Sequence, residues 1–313
     1  MLKEIIGVRG LNKYYGKEKV LNSVNITLNK GDIYGFVGQN GSGKSTTMKI
    51  ILSLIHADSG EVRLFGKHAE SELRDFRERV GSIVENPAFY PYLSGEDNLV
   101  YYGKFKGITD RKQIKTTLKI VGLEKAGKKK FSNYSLGMKQ RLGLGLAILN
   151  HPDILILDEP LNGLDRQGIV EFRQTLLDLN KKMGITILIS SHILDELAQI
   201  ATTYGFIHHG EILEEISAEK LHQKSQKYLL LNVVDSKQAV FILEEQLGIQ
   251  DYLVLDNHQV KIFQAVDKSQ MILTTLVKNQ VEVVELERKG SSLEDYFIDL
   301  IDGGEKNAKH HKS

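Results

Sequence analysis

The sequence predicts an α/β fold in which apolar strands end at a glycine-rich loop and at a pair of carboxylates. The loop, GQNGSGKS at residues 38–45, follows an apolar stretch and precedes a helical one. The apolar run at 154–157 ends in Asp158 and Glu159 and is typical of a strand buried on both faces. Ligands of open α/β sheets bind beyond the carboxyl ends of the strands, so we expect the loop and the two acids to share one site.

The loop fits the spacing G-x-x-x-x-G-K-[ST], which is typical of phosphate-binding loops. Its glycines allow successive backbone N–H groups to face one centre, and the following helix adds its positive N-terminal end. Lys44 is predicted to place a cation against the β- and γ-phosphates, and the Ser45 hydroxyl is predicted to bind Mg²⁺. The predicted nucleotide contacts of the loop are Gly38, Gln39, Asn40, Gly41, Ser42, Gly43, Lys44, Ser45 and Thr46.

A second stretch has nearly the same spacing. Residues 122–129 also follow the pattern of two glycines and a lysine, but Lys129 stands where the metal-binding hydroxyl is needed. The stretch follows an amphipathic helical run rather than a strand. We therefore predict a loop between helices there, without nucleotide.

Length and composition exclude several classes of protein and of chemistry. At 313 residues the chain is expected to form two domains. The absence of cysteine excludes disulfides, zinc–thiolate sites and thiol redox chemistry, and a net charge of +1 gives no electrostatic case for a nucleic-acid partner. The N-terminus has no signal-peptide pattern, and no apolar run approaches the roughly 18 residues of a membrane span. We expect any membrane contact to go through another chain.

The first 37 residues predict short antiparallel strands that lead into the central strand. Tyr14 and Tyr15 precede a turn at Gly16, where one of them could stack on adenine or be an ordinary half-buried strand tyrosine. Glu85 ends a strand at 80–84, where it is either a candidate metal or water ligand or a solvated cap.

Residues 87–150 predict a helical insertion between two parts of one sheet. Ser135 can cap a helix there and Gly137 can let the backbone approach a ligand, so this helix N-terminus is also fit to hold phosphate, although capping alone explains Ser135 equally well. At the strand ends, Asp158 is predicted to hold Mg²⁺ and Glu159 to accept a proton from an attacking water. His192 follows another buried strand and is a candidate donor to the γ-phosphate.

Beyond these features the composition changes. We predict an ATP-binding domain at 1–222 and an accessory α+β domain at 223–302, whose β-α-β-β-α-β order fits a ferredoxin-like unit. A last helix is predicted at 291–301, and a disordered tail at 303–313.

Taken together, these motifs resemble the ATP-binding subunit of an ABC transporter over residues 1 to about 222. The matching features are Tyr15, the Walker A loop Gly38–Ser45, the signature Tyr134–Met138 with Lys139-Gln140-Arg141, the Walker B strand Ile154–Glu159, the D-loop Asn162–Asp165 and the switch histidine His192. Three positions depart from the family pattern: Leu136, Met138, and Glu85, which stands at the Q-loop glutamine. Glu85 with the following NPAFYPYLSGEDNL, and SLEDYF near the C-terminus, look like the subgroup of bacitracin-resistance and lantibiotic-immunity ATPases.

The resemblance implies a P-loop NTPase with a RecA-like core, an N-terminal antiparallel β subdomain and a helical subdomain. It implies an ATPase that uses ATP and Mg²⁺ and pairs head to tail, with each ATP held between Walker A of one copy and Ser135 and Gly137 of the other. It also implies integral membrane permease subunits, a place on the cytoplasmic side of the membrane, and a peptide-antibiotic cargo. Another drug or lipid exporter, or a soluble regulatory ATPase, is the alternative.

Overall fold

The structure is a computed structural model. It describes residues 4–68, 76, 78–84, 88–225, 227–289, 296–298 and 300–301. The chain divides into two compact units, Met1–Ala218 and Glu219–Ser313. Among the described residues, no helix is both long enough and apolar enough to cross a lipid bilayer.

The first unit contains ten strands and six helices among its described residues, and a seventh helix starts at its last residue, Ala218, and continues into the second unit. The strands are β1 (Glu4–Tyr15), β2 (Glu18–Asn29), β3 (Ile33–Val37), β4 (Ser59–Leu64), β5 (Lys67–His68), β6 (Val80–Ile83), β7 (Ile154–Leu157), β8 (Thr186–Ser191), β9 (Thr203–His208) and β10 (Glu211–Ser217). The helices are α1 (Lys44–Ile51), α2 (Gly95–Phe105), α3 (Arg111–Ile120), α4 (Leu136–Ile148), α5 (Arg166–Met183), α6 (Leu194–Leu197) and α7 (Ala218–Ser225).

A six-stranded sheet in the order β10-β9-β3-β8-β7-β6 forms the centre of this unit. All neighbouring pairs are parallel except β10 with β9. Every residue of β3, β7 and β8 is buried, which explains why these strands are almost continuously apolar. The strand ends that carry the loop, the acids and His192 therefore meet at one edge of the sheet.

A second sheet in the order β2-β1-β4-β5 is antiparallel, which confirms the predicted antiparallel pairing near the N-terminus. The prediction of short strands there is wrong, because β1 and β2 are 12 residues long each and continue through several register shifts. Its inner face packs on α1 through residues such as Leu21 and Met48. The helices α2, α3 and α4 lie between β6 and β7 in the chain, where the helical insertion was expected. Ser94, Asp110 and Ser135 cap these three helices with side-chain oxygens.

The second unit forms a four-stranded antiparallel sheet in the order β12-β13-β11-β14, with two longer helices on one face. Its elements are β11 (Tyr228–Val233), α8 (Ser236–Glu245), β12 (Tyr252–Val254), β13 (Gln259–Ile262), α9 (Ser269–Lys278) and β14 (Val283–Lys289). The predicted last helix at 291–301 lies mostly outside the described residues, and the predicted tail at 303–313 lies wholly outside them.

Candidate active site

The glycine-rich loop connects β3 to α1 and is held in its curl by its neighbours. Gly43 has φ of 109°, and a Cβ on it would lie 2.6 Å from the Leu21 side chain. A Cβ on Gly38 would lie 2.5 Å from the carbonyl oxygen of Ile207 on β9. Since neither position has room for a side chain, packing as well as backbone conformation requires glycine there.

Lys44 is buried at the start of α1, with 5% of its surface exposed. Its Nζ donates to the carbonyl oxygens of Gly38 and Gln39 at 2.6 and 3.1 Å. The same Nζ lies 3.3 Å from Oε1 of Glu159, close enough for an ion pair although not aligned as a hydrogen bond. The ammonium group is thus fixed between the loop and the acid that ends β7.

The remaining loop residues differ in exposure. Gln39, Asn40, Gly41 and Ser45 are exposed, Thr46 is half-buried, and Ser42 is buried. Gly210, in the turn after β9, donates its N–H to the Ser42 carbonyl at 3.0 Å. No sequence pattern predicted that this turn would support the loop.

Ser190 supports the two acidic residues that follow β7. Its hydroxyl donates to Oδ1 of Asp158 at 2.7 Å and accepts the backbone N–H of Glu159 at 2.8 Å. Glu159 has φ of 47°, a left-handed conformation that is uncommon for residues other than glycine. Such conformations persist where the surroundings enforce them, and they concentrate at functional sites.

The Glu159 carboxylate contacts both other predicted catalytic residues. While Oε1 faces Lys44, Oε2 lies 2.8 Å from Nδ1 of His192. Glu196 lies near this group: burial raises the pKa of its carboxyl, His192 and Arg173 oppose the shift, and the charge of Glu159 adds to it. The structure therefore brings Lys44, Glu159 and His192 together at one point.

Ser45 and Asp158, the predicted metal ligands, line one cleft of about 610 Å³. The cleft is also lined by Lys49, Ile83, Leu136, Gln140, Glu159, Asn162 and Gly163. Gln140 and Ser190 were not predicted as functional residues. The only sequence signal that Gln140 would line the cleft is its spacing, because it lies four residues after Leu136 and therefore on the same face of the helix.

Tyr15 lies outside this cleft. It ends β1 with 52% of its surface exposed, and the Lys13 ammonium lies 5.5 Å from the centre of its ring. The β2 strand of the same hairpin contacts Gly43 through Leu21. The exposed ring thus belongs to a hairpin that packs against the loop.

Ser135 and Gly137 begin α4. The Ser135 hydroxyl accepts the Met138 N–H at 3.3 Å, as a helix cap does. A Cβ on Gly137 would meet nothing closer than a Leu164 methyl group at 3.7 Å, so packing within the chain does not require glycine there. In the described part of the chain, no hydrogen bond joins either residue to residues 38–45. Glu85, the third predicted metal ligand, lies outside the described residues.

A curled glycine loop around a buried lysine, facing a carboxylate pair at the end of a parallel strand, defines a P-loop nucleoside triphosphatase. The family model described as ABC transporter matches residues 21–162. The chain is 41% identical over 303 residues to the bacitracin transport ATP-binding protein BcrA of Bacillus licheniformis, covering 97% of this chain and 99% of that protein. The chain belongs to the ATP-binding subunits of ABC transporters, which are ATPases coupled to transport.

One further relative and one solved structure agree with this family assignment. The lantibiotic transport ATP-binding protein SrtF of Streptococcus pyogenes is 43% identical over 211 residues, covering 67% of this chain and 90% of that protein. A bacterial ABC transporter cassette solved as a dimer superposes with a TM-score of 0.62 and 27% identity, covering 68% of this chain and 98% of that chain. Cassettes of this family bind ATP, dimerise and work with membrane permease subunits, and the likeness confirms the predicted P-loop NTPase fold of the first unit.

Proposed function

We propose that this protein hydrolyses ATP between two head-to-tail copies of itself and thereby powers removal of a peptide antibiotic through membrane permease subunits. The observation that supports the hydrolytic role most strongly is the placement of Glu159, whose carboxylate contacts both Lys44 and His192. A carboxylate at the end of a buried strand, beside a phosphate-binding lysine, is suited to activate water.

The donor set in the cleft suits Mg²⁺. Ser45 supplies a hydroxyl and Asp158 a carboxylate, which are the oxygen ligands that this cation prefers, and Ser190 fixes the orientation of Asp158. When bound, the cation neutralises charge that develops on the phosphates.

The chemistry is attack of water on the γ-phosphorus. Glu159 takes the proton of the water, the bond from the γ-phosphorus to the β–γ bridging oxygen breaks, and ADP leaves with the electron pair. Lys44 exchanges the Glu159 carboxylate for phosphate oxygens, which frees that carboxylate to act as the base. His192 donates a hydrogen bond to the γ-phosphate, and Tyr15 stacks on the adenine.

The second half of each site comes from another copy. Ser135 is exposed at a helix N-terminus, and Gly137 lacks a side chain for which the chain itself has room. Both features fit a phosphate that approaches from outside the chain. ATP then joins the two copies, and its hydrolysis lets them part.

The names of the similar proteins support a peptide-antibiotic cargo. Those named for bacitracin transport match 97% of this chain, and one named for lantibiotic transport matches 67% of it. The linearmycin resistance ATP-binding protein LnrL of Bacillus subtilis is 27% identical over 95% of this chain, which favours a drug exporter of another cargo as the second candidate. The protein then lies at the cytoplasmic face of the membrane. The rings of Tyr90, Tyr92, Tyr101 and Phe105 contact one another, and Tyr92 and Phe105 are 65% and 76% exposed, so this aromatic surface is the proposed contact with the permease.

The first test is the Glu159→Gln variant. It should retain ATP binding by calorimetry while hydrolysis falls by about 10²–10⁴, as expected for loss of a general base. Glu124→Gln, on an exposed turn, serves as the matched control and should hydrolyse ATP at the parent rate. Hydrolysis by Glu159→Gln at the parent rate would contradict the assignment of the base.

A second test concerns cargo and partner. A strain that lacks this protein should become sensitive to bacitracin or to a lantibiotic, and the parent chain but not Glu159→Gln should restore resistance. Photo-crosslinkers at Tyr90 or Tyr92 should join the protein to a co-expressed permease. Unchanged sensitivity to both classes of antibiotic would contradict the cargo, and no crosslink from either position would contradict the surface.

A further inference from the structure

The side chain of Gln140 is buried and lines the cleft that contains the proposed catalytic base Glu159. It is 8% exposed, and within the described part of the chain no group donates a hydrogen bond to Oε1. The cleft that it lines also contains Ser45, Asp158 and Glu159. Because buried polar atoms are nearly always hydrogen-bonded, an acceptor left in this position indicates a donor that comes with the substrate.

The helix that carries Gln140 is locked onto the turn that follows Glu159. Leu136, one turn earlier on α4, places Cδ2 2.8 Å from the position of a Cβ on Gly163. Asn162, just before that glycine, donates its N–H to the Glu159 carbonyl at 3.2 Å. Gln140 therefore stands in a fixed relation to the Glu159 of its own chain.

We propose that Gln140 is a positioning residue that orients the attacking water for Glu159, a role that rests on the proposed function of Glu159. A phosphate of ATP offers only acceptor oxygens, whereas water can donate to the Gln140 oxygen. One proton of the water goes to Glu159, and the other is held by Gln140, which leaves a lone pair for the γ-phosphorus. The neutral amide holds the water without competing for its proton.

This assignment gives α4 two tasks. Ser135 and Gly137 at its first turn serve the nucleotide of the other copy, while Leu136 and Gln140 serve the cleft of their own chain. Leu136, which departs from the family signature, thus belongs to the residues of α4 that serve the cleft of their own chain.

The test is Gln140→Leu, with Gln167→Leu on the exposed side of α5 as the control. We expect Gln140→Leu to lower kcat about tenfold and to change the Kd for ATP less than about twofold, since the lost bond acts on water. Its thermal unfolding temperature should stay the same or rise, because the variant removes a buried acceptor. A parent kcat, a tenfold weaker Kd, or a matching fall in unfolding temperature would each overturn the proposal.

A double-mutant cycle separates this proposal from the function on which it rests. In the Glu159→Gln background, Gln140→Leu should lower the residual rate less than about twofold, because no base remains for an oriented water. A full tenfold loss in that background would overturn the role of Gln140. Parent activity in Glu159→Gln alone would instead overturn the proposed function.

Discussion

Two stretches of this chain share a pattern of glycines and lysine, but only one of them has the surroundings that a phosphate site requires. Residues 38–45 lie between a buried strand and a helix, and Lys44 is buried against carbonyl oxygens and Glu159. Residues 122–129 lie after α3 around a short turn of 3₁₀ helix, and Lys128 is exposed. The predicted loop between helices is thereby confirmed.

The difference between the loops is in their surroundings. The second loop uses its backbone to support α2: the carbonyls of Gly127 and Lys129 accept the N–H groups of Glu96 and Gly95. These carbonyl oxygens of the second loop point towards the start of α2. A phosphate site instead requires backbone N–H groups that point towards a common centre. The pattern of residues becomes a binding site only where a strand leads in, a helix leads out and an acid stands opposite.

The largest difference between the two loops should appear when the lysine of each is replaced by alanine. Lys44→Ala should lower kcat by about 10²–10³, as for loss of one preorganised donor to a transition state. Lys128→Ala should change the rate less than about twofold, as is usual for exposed side chains. Steady-state ATPase assays of both variants measure the contrast, and equal losses would show that the comparison is wrong.

Alanine at the second glycine of each loop should give a smaller contrast. Gly43→Ala forces a side chain into a left-handed backbone, at a cost of about 1–2 kcal/mol, and should weaken ATP binding at least about tenfold. Gly127 has φ of −54°, which any residue adopts, so Gly127→Ala should leave the affinity for ATP unchanged. Calorimetry with ATP measures both. If Gly43→Ala bound as tightly as the parent, the curl of the loop would not depend on glycine.

The stability of the folded protein should depend on pH through Glu196, which lies near Glu159 and His192. The pKa of Glu196 is raised in the folded state, chiefly by burial, so the folded form holds its proton more tightly than the unfolded form. Its contribution to stability is therefore present at low pH and is lost as pH rises above the unfolded pKa of about 4.3 through the folded pKa. Glu196→Gln should gain unfolding temperature over the parent at pH 7 and not at pH 4. Melting curves at the two pH values test this, and a difference independent of pH would contradict it.

The smallest expected effect is none. Lys129→Ser completes the pattern G-x-x-x-x-G-K-S in the second loop, but the preceding strand and the opposing acid are still missing. In a Lys44→Ala background this change should restore no ATP binding. Restored binding would mean that the local pattern suffices without its surroundings.

The sequence predicted the parts of the site that depend on local order. The loop, the acids and His192 each follow an apolar run, and parallel strands bring such ends together. Ser190, Gln140 and Gly210 act through contacts between distant segments: Ser190 joins Asp158 to Glu159, and Gly210 supports Ser42. No local sequence pattern distinguishes a strand serine or a helix glutamine that contacts a distant segment from one that does not. The roles of these residues could therefore be recognised only in the structure.

The most direct measurement is the mass of the Glu159→Gln variant in ATP by sedimentation, with and without a second change, Ser135→Ala. We expect Glu159→Gln to form a stable dimer when ATP is present, since a ligand held between two copies stabilises their association. The added Ser135→Ala should prevent this dimer while Lys44 still binds ATP. A monomer in saturating ATP, or a dimer unaffected by Ser135→Ala, would contradict the claim that two copies of this chain share each nucleotide.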